Sequence, residues 1–167
     1  MPEFHLIPEC FADTEMVRII FKDLESCNLN HASGISEVSK ALQKKDLPNY
    51  LNIGFVDKDR KNVPFYLDEF EIVEQVANVA FKKHPTSNDY LFIVDPAIER
   101  FLLQELAEIN KPPSDYQLPD DFKNFKKTLK KTHIQNHLGY KHMVSDLLEA
   151  ETTGITFMRK MIRGLLE

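Results

Sequence analysis

A chain of 167 residues with 43% hydrophobic and 28% charged side chains is large enough for one ordinary globular domain with a real core. No apolar run approaches the ~20 residues that a membrane span needs, and two cysteines without a CxxC pair exclude a disulfide framework and disfavour structural zinc. The net charge of −5 is unevenly spread: residues 1–119 carry 12 basic and 20 acidic side chains, residues 120–142 carry 6 and 2, and residues 143–167 carry 3 and 4. An acidic first part followed by a basic segment suits a metal site beside a phosphate-contacting arm, where the plain alternative is a solvated lysine face. The first residues show neither the basic segment nor the apolar stretch of a secretory signal, so the expectation is a cytoplasmic protein with Cys10 and Cys27 reduced.

Residues 3–8 read as a short strand ending at Pro8. Asp13-Thr14 then offers an N-cap for a helix of about 12 residues, on which Met16, Val17, Ile19, Ile20, Phe21 and Leu24 recur with helical spacing. Residues 28–34 read as a turn-rich loop and 35–45 as a second helix, broken at Pro48-Asn49 before a strand at 50–56. Asp57 to Pro64 is a charged loop, 65–70 is a short helix or extended, and 71–81 fits either a helix by its spacing or a strand by its β-branched content. A turn at 84–89 precedes a strand at 90–94, and Pro96 opens a helix over 97–109. Residues 121–138, 140–150 and 154–166 read as three helices. The order predicts an α/β fold, a small mostly parallel sheet flanked by helices, over residues 1–110. Residues 111–167 form an α-helical C-terminal extension packed on the same domain. The closing stripe of Met158, Met161, Ile162, Leu165 and Leu166 reads as core, with a homodimer interface as the lesser reading.

Three apolar runs end in acids. Phe4–Pro8 leads to Glu9 and Asp13, Leu51–Val56 to Asp57 and Asp59, and Tyr90–Val94 to Asp95. Parallel strands that deliver carboxylates at their C-terminal ends build a divalent-metal site, and the natural chemistry there is metal-assisted phosphoryl transfer. Asp57 and Asp59, two apart, have the spacing to face one ion. Glu99, one turn into the following helix, is a further candidate in place of Asp95. In the basic segment Lys123, Lys126, Lys127, Lys130 and Lys131 share one helical face, while Phe122, Phe125 and Leu129 share another. Such a stripe binds phosphate without reading sequence. His133 and His137, four apart, have no third ligand nearby and read as surface residues. No GxSxG, GxGxxG or GxxxxGK[ST] motif is present, which disfavours a serine hydrolase, a dinucleotide fold and a P-loop NTPase.

Glu9-x-x-x-Asp13 followed by Asp57-x-Asp59, together with the stretch Asp57-Lys-Asp-Arg-Lys61, Lys82-Lys-His-Pro, Tyr90–Val94 and Pro96–Leu103, resembles the Toprim domain. That is the metal-dependent fold shared by topoisomerases, bacterial-type primases and OLD-family nucleases, and the small stand-alone Toprim-like proteins of bacteria and mobile elements come nearest. The resemblance covers about residues 3–109. It implies Mg2+ or Mn2+ held by Asp57, Asp59 and Asp13, and Glu9 as ligand or general acid/base; Asp95, a further candidate ligand from the third strand end, stands where some relatives have a plain hydrophobic-to-proline transition. It also implies nuclease-like processing of DNA or RNA phosphodiesters. The chain departs from the family in carrying Cys10 where a glycine usually follows the glutamate, and in lacking a glycine after Asp59. Those departures motivate a second expectation, a catalytically inactive module that binds nucleic acid or protein. A third is a receiver-like or flavodoxin-like regulatory domain with Asp57 as phospho-acceptor; it lacks a lysine at a late strand end.

Overall fold

The computed structural model describes residues 3–44 and 50–167. Among these there are six strands: β1 (Glu3–Pro8), β2 (Cys27–Leu29), β3 (Tyr50–Asp57), β4 (Glu71–Val76), β5 (Val79–Lys83) and β6 (Asp89–Val94). Seven helices accompany them: α1 (Phe11–Ile20), α2 (Ile35–Leu42), α3 (Phe65–Asp68), α4 (Ile98–Glu108), α5 (Phe122–Leu129), α6 (Leu138–Glu149) and α7 (Thr153–Gly164). The strands form one mixed sheet in the order β2-β1-β3-β6-β5-β4. β2, β1, β3 and β6 run parallel, and β5 and β4 complete the sheet antiparallel. The fold is α/β, with a mostly parallel sheet flanked by helices.

β3 lies in the middle, and its residues Ile53 to Asp57 are all buried, as a strand covered on both faces requires. Its pleat divides them. Ile53 and Phe55 join the larger core under α1, α4, α6 and α7, and Val56 joins the smaller core under α2 and α3. Gly54 lets α2 come close: a Cβ there would lie 2.9 Å from Val38 Cγ1 and 3.0 Å from Leu91 Cδ1. Phe55, Phe92 and Phe81 form an aromatic row across the sheet, with centroids 5.1 and 4.6 Å apart.

Several local expectations are corrected by long-range contacts. Asp13 does not cap α1; the cap is Cys10, whose thiol accepts the Asp13 N–H while the Asp13 carboxylate accepts the Cys10 N–H. Within 28–34 the chain contains the edge strand β2, because Cys27, Asn28 and Leu29 pair with Phe4, His5 and Leu6. The ambiguous stretch 71–81 is a hairpin reversed at Ala77-Asn78, with Ala77 at φ 49°. Its Val79 and Phe81 are buried by pairing with Val94 and Phe92, and that outweighs helical spacing. α4 starts after Pro96, with Ala97 as its cap. The helix expected over 121–138 ends at Leu129, and a 3₁₀ turn over Thr132–Asn136 carries buried Ile134 against α1. Lys130 and Lys131 therefore leave the stripe formed by Lys123, Lys126 and Lys127. The breaker expected at Pro48-Asn49 lies outside the described residues.

The C-terminal helices share the main core with α1 and α4. Met158 and Ile162 of the closing stripe are buried there, while Met161, Leu165 and Leu166 pack at its margin. Tyr140, fully buried in α6, donates its hydroxyl to the Ala12 carbonyl at 2.7 Å. The Glu105 carboxylate of α4 caps α7, accepting the N–H groups of Gly154 (3.0 Å) and Ile155 (3.1 Å). Removing the Tyr140 hydroxyl deletes this buried hydrogen bond between α6 and α1, while the Ala12 carbonyl keeps its place in the helical ladder of α1. Tyr140→Phe is expected to lower unfolding stability by about 0.5–1.5 kcal/mol, read from the denaturation midpoint; an unchanged midpoint would show that the bond contributes nothing.

Candidate functional site

In the parallel part of the sheet the connections turn one way from β1 to β2 and the other way into β3. That makes the C-terminal end of the β1/β3 pair a topological switch point, the crevice where open α/β sheets bind ligands. Glu9 follows β1 and Asp57 ends β3 at this point. The Asp57 N–H donates to Glu9 Oε2 at 3.2 Å, joining residues 48 apart in the chain. Asp57 Oδ1 accepts the Ile98 N–H at 3.0 Å, so the same carboxylate serves the N-terminus of α4, whose own cap residue offers no side-chain bond.

Glu9, Asp13, Asp57 and Glu99 are all buried, at 3–5% exposure. They lie close enough that the charges of Glu9, Asp13 and Glu99 all act on Asp57. Burial, followed by repulsion from Asp13 and Glu9, pushes Asp57 up to about 8, against the pull of Arg60. Burial raises Asp13 to about 7, opposed by its bond from the Cys10 thiol and reinforced by Glu9. Glu9 is raised by burial in spite of Arg60. The Cys10 thiol, 2.8 Å from Asp13 Oδ2, is driven well above the usual thiol range by burial and then by Asp13. It is a capping group, not a nucleophile.

Arg60 reaches back over the strand end. Its Nε lies 2.6 Å from Glu9 Oε1 and its Nη2 3.4 Å from Asp57 Oδ2. Arg60 is not among the site residues expected from the sequence, although it stands three residues after Asp57 in the Asp57–Lys61 stretch that carries the resemblance. Asp59 sits exposed at the rim, where its charge still acts on Glu9 and Arg60. Asp95 does not join the cluster: its carboxylate pairs with Lys58 at 3.1 Å on the surface. Glu99, one turn into α4, is the acid brought in from that side.

The oxygens are hard donors of the kind Mg2+ and Mn2+ prefer, so the donor chemistry fits such an ion. The present side-chain placement gives those oxygens to N–H groups and to Arg60. Among the described residues no group of three His, Cys, Asp or Glu side chains is arranged around an ion position.

α5 begins near the first turn of α4, where Phe122 lies under the Arg100 guanidinium (3.6 Å to the ring centroid). Lys123, Lys127, Lys130 and Lys131 are exposed and Lys126 half-buried, and none of the five forms an ion pair among the described residues. His133 lies in the 3₁₀ turn, and His137 caps α6 through Nδ1, which accepts the Tyr140 N–H at 3.0 Å. On the opposite face a groove of about 850 Å³ runs between α2 and β1, with His5, His31, Lys40 and Lys44 in its wall.

The fold and the site define an α/β protein with a Rossmann-like sheet and a buried carboxylate cluster at its switch point. Compared with known protein families, with curated proteins and with solved structures, the chain matches none of them. Among the described residues no helix is long and apolar enough to cross a membrane.

Proposed function

We propose that the chain is a Toprim-like domain that processes nucleic-acid phosphodiesters with the help of Mg2+ or Mn2+. The observation that carries this reading is a shortage of positive charge: of four neighbouring buried carboxyls only Glu9 and Asp57 touch a guanidinium, and Asp13 and Asp57 are driven to titrate near neutrality. A buried acid cluster of this kind is costly on its own and is compensated by a hard cation with oxygen ligands. Its position at the switch point supports the same reading.

In this reading Asp57 and Asp13 hold the ion, Asp59 adds a ligand from the rim, and Glu99 stands in for Asp95. The ion supplies Lewis-acid polarisation of a phosphoryl oxygen. Glu9, its carboxyl raised by burial, would add an oxygen ligand or hold a proton beside the reacting oxygen. The exposed lysines of α5 hold the phosphate backbone without reading its sequence. The two free cysteines support a cytoplasmic setting.

A second reading, an inactive Toprim-like module that binds nucleic acid or protein, is favoured by one observation: Arg60 already occupies an oxygen of both Glu9 and Asp57. Melting with and without Mn2+ separates the two. An ion bound at a hundred times its Kd adds about 2.7 kcal/mol, a rise of several degrees in the wild type that vanishes in Asp57→Asn/Asp59→Asn. No rise in the wild type would favour the inert module, and undiminished cleavage by Glu9→Gln and Asp57→Asn proteins would sink the phosphodiesterase reading.

A further inference from the structure

We infer that Arg60 is the site's built-in counter-ion and sets its affinity for a divalent cation, competing for the oxygens of Glu9 and Asp57 and swinging out when an ion enters. This rests on the divalent-cation reading above. It adds a specific residue and a direction of effect.

Three observations carry it. The guanidinium touches one oxygen of each carboxylate that ends a central strand, so ion and arginine claim the same atoms. The contact is also incomplete. Nε is buried and lies 2.6 Å from Glu9 Oε1, yet its N–H is not aligned on any acceptor, and Nη2 is at the long distance of 3.4 Å from Asp57. A bidentate arginine–carboxylate fork would use both N–H groups in line; here charge holds the side chain more than hydrogen bonding does, and an orphaned buried donor opposes it.

The third observation is that the arginine has somewhere to go. The backbone before it is anchored independently, with the Lys58 N–H on the Val94 carbonyl (2.9 Å) and the Asp59 N–H on the Pro96 carbonyl (3.0 Å). The Arg60 side chain itself is 34% exposed. It can rotate into solvent while Asp57 and Asp59 keep their places. A site whose open form is a minority of the population binds its ion more weakly in proportion, so removing the competitor tightens binding by the inverse of the open fraction.

The test is Mn2+ titration of the whole chain, with bound ion read from the loss of the free-Mn2+ paramagnetic resonance signal. The proteins are wild type, Arg60→Gln, Arg60→Lys and Lys61→Gln. Arg60→Gln is expected to bind about tenfold more tightly than wild type, with Arg60→Lys between them. Lys61→Gln removes the same charge from the same loop and is expected to stay close to wild type. Equal tightening by Lys61→Gln would mean that net charge alone acts, and would overturn the inference. So would Arg60→Gln binding no more tightly than wild type while Asp57→Asn abolishes binding, an outcome that leaves the cation reading standing. No Mn2+ bound by wild type or by Arg60→Gln would overturn both.

Discussion

Freed of divalent ions by a chelator, the protein is expected to lose stability as the pH rises from about 5 to about 8.5, contrary to the usual behaviour of surface carboxylates. The cause is the buried cluster. In the unfolded chain Asp57 ionises near its ordinary value of 3.8, and in the folded chain at about 8. Between those values the folded protein keeps a proton that the unfolded chain has released, so every rise in pH favours unfolding. The stabilisation is complete below the unfolded value and is lost as the pH passes through the folded one. Asp13, raised from 3.8 to about 7, acts with the same sign over a slightly narrower window, and Glu9, also raised, adds to both. Each pH unit over which one proton separates the states changes stability by about 1.4 kcal/mol, so the melting temperature should fall by many degrees across the window.

The acids with lowered values, Asp23 at about 2 beside Arg159, Asp121 held by Asn124, and Asp146 beside Tyr116 and Lys111, act below about pH 4 and leave this range alone. Asp57→Asn should flatten the slope and raise the stability at the alkaline end, since the amide carries no charge to desolvate. Melting curves at a series of pH values check this. A flat or rising profile in the wild type would show that the carboxyls are ionised in the folded state across the range, and the charge shortage behind the proposed function would be gone.

Gly139→Ala is expected to cost about 3 kcal/mol or more, the largest effect of a single methyl group in this chain. Gly139 is the second residue of α6, and a Cβ there would overlap the carbonyl oxygen of Tyr116. Neither side can retreat. The start of α6 is fixed by the His137 cap and by Tyr140 bonded to Ala12. Tyr116 is held in its 3₁₀ turn by its hydroxyl on Asp146 Oδ2 at 2.7 Å. The obstacle is backbone, so no rotamer change relieves it. Gly164→Ala, at the end of α7 where a Cβ meets nothing within 4 Å, is the control and should be neutral or slightly stabilising. Denaturant midpoints at constant m compare the two. A Gly139→Ala protein as stable as the wild type would mean that α6 does not sit on the Tyr116 turn.

The lysine stripe and the histidine pair mark where local pattern stops being a guide. Spacing put five lysines on one helix, and a helix carrying all five would have pointed Ile134 along the same cylinder, away from α1. Burying Ile134 against α1 is worth more than one further turn of helix, so the chain breaks after Leu129. His137, four residues after His133 and with no third ligand nearby, reads from the sequence as a surface residue. Its ring is the cap of α6, a role that depends on where that helix begins.

The sequence alone determined the things that depend on neighbours along the chain. The apolar runs 4–8, 51–56 and 90–94 placed three strands, and the acids that follow the first two place Glu9 and Asp57 at strand ends whatever the sheet order. Tertiary structure decided which acids meet. The order β2-β1-β3-β6 set Glu9 beside Asp57, the pairing of Lys58 with Asp95 turned that aspartate outward, and Glu99 came in on α4 instead. Arg60 was drawn onto both strand-end carboxylates by a field that exists only once they are side by side and dry. Hydrophobic periodicity is set within a turn or a pleat, whereas charge interactions between buried groups depend on distance and on the exclusion of water, and only packing supplies these.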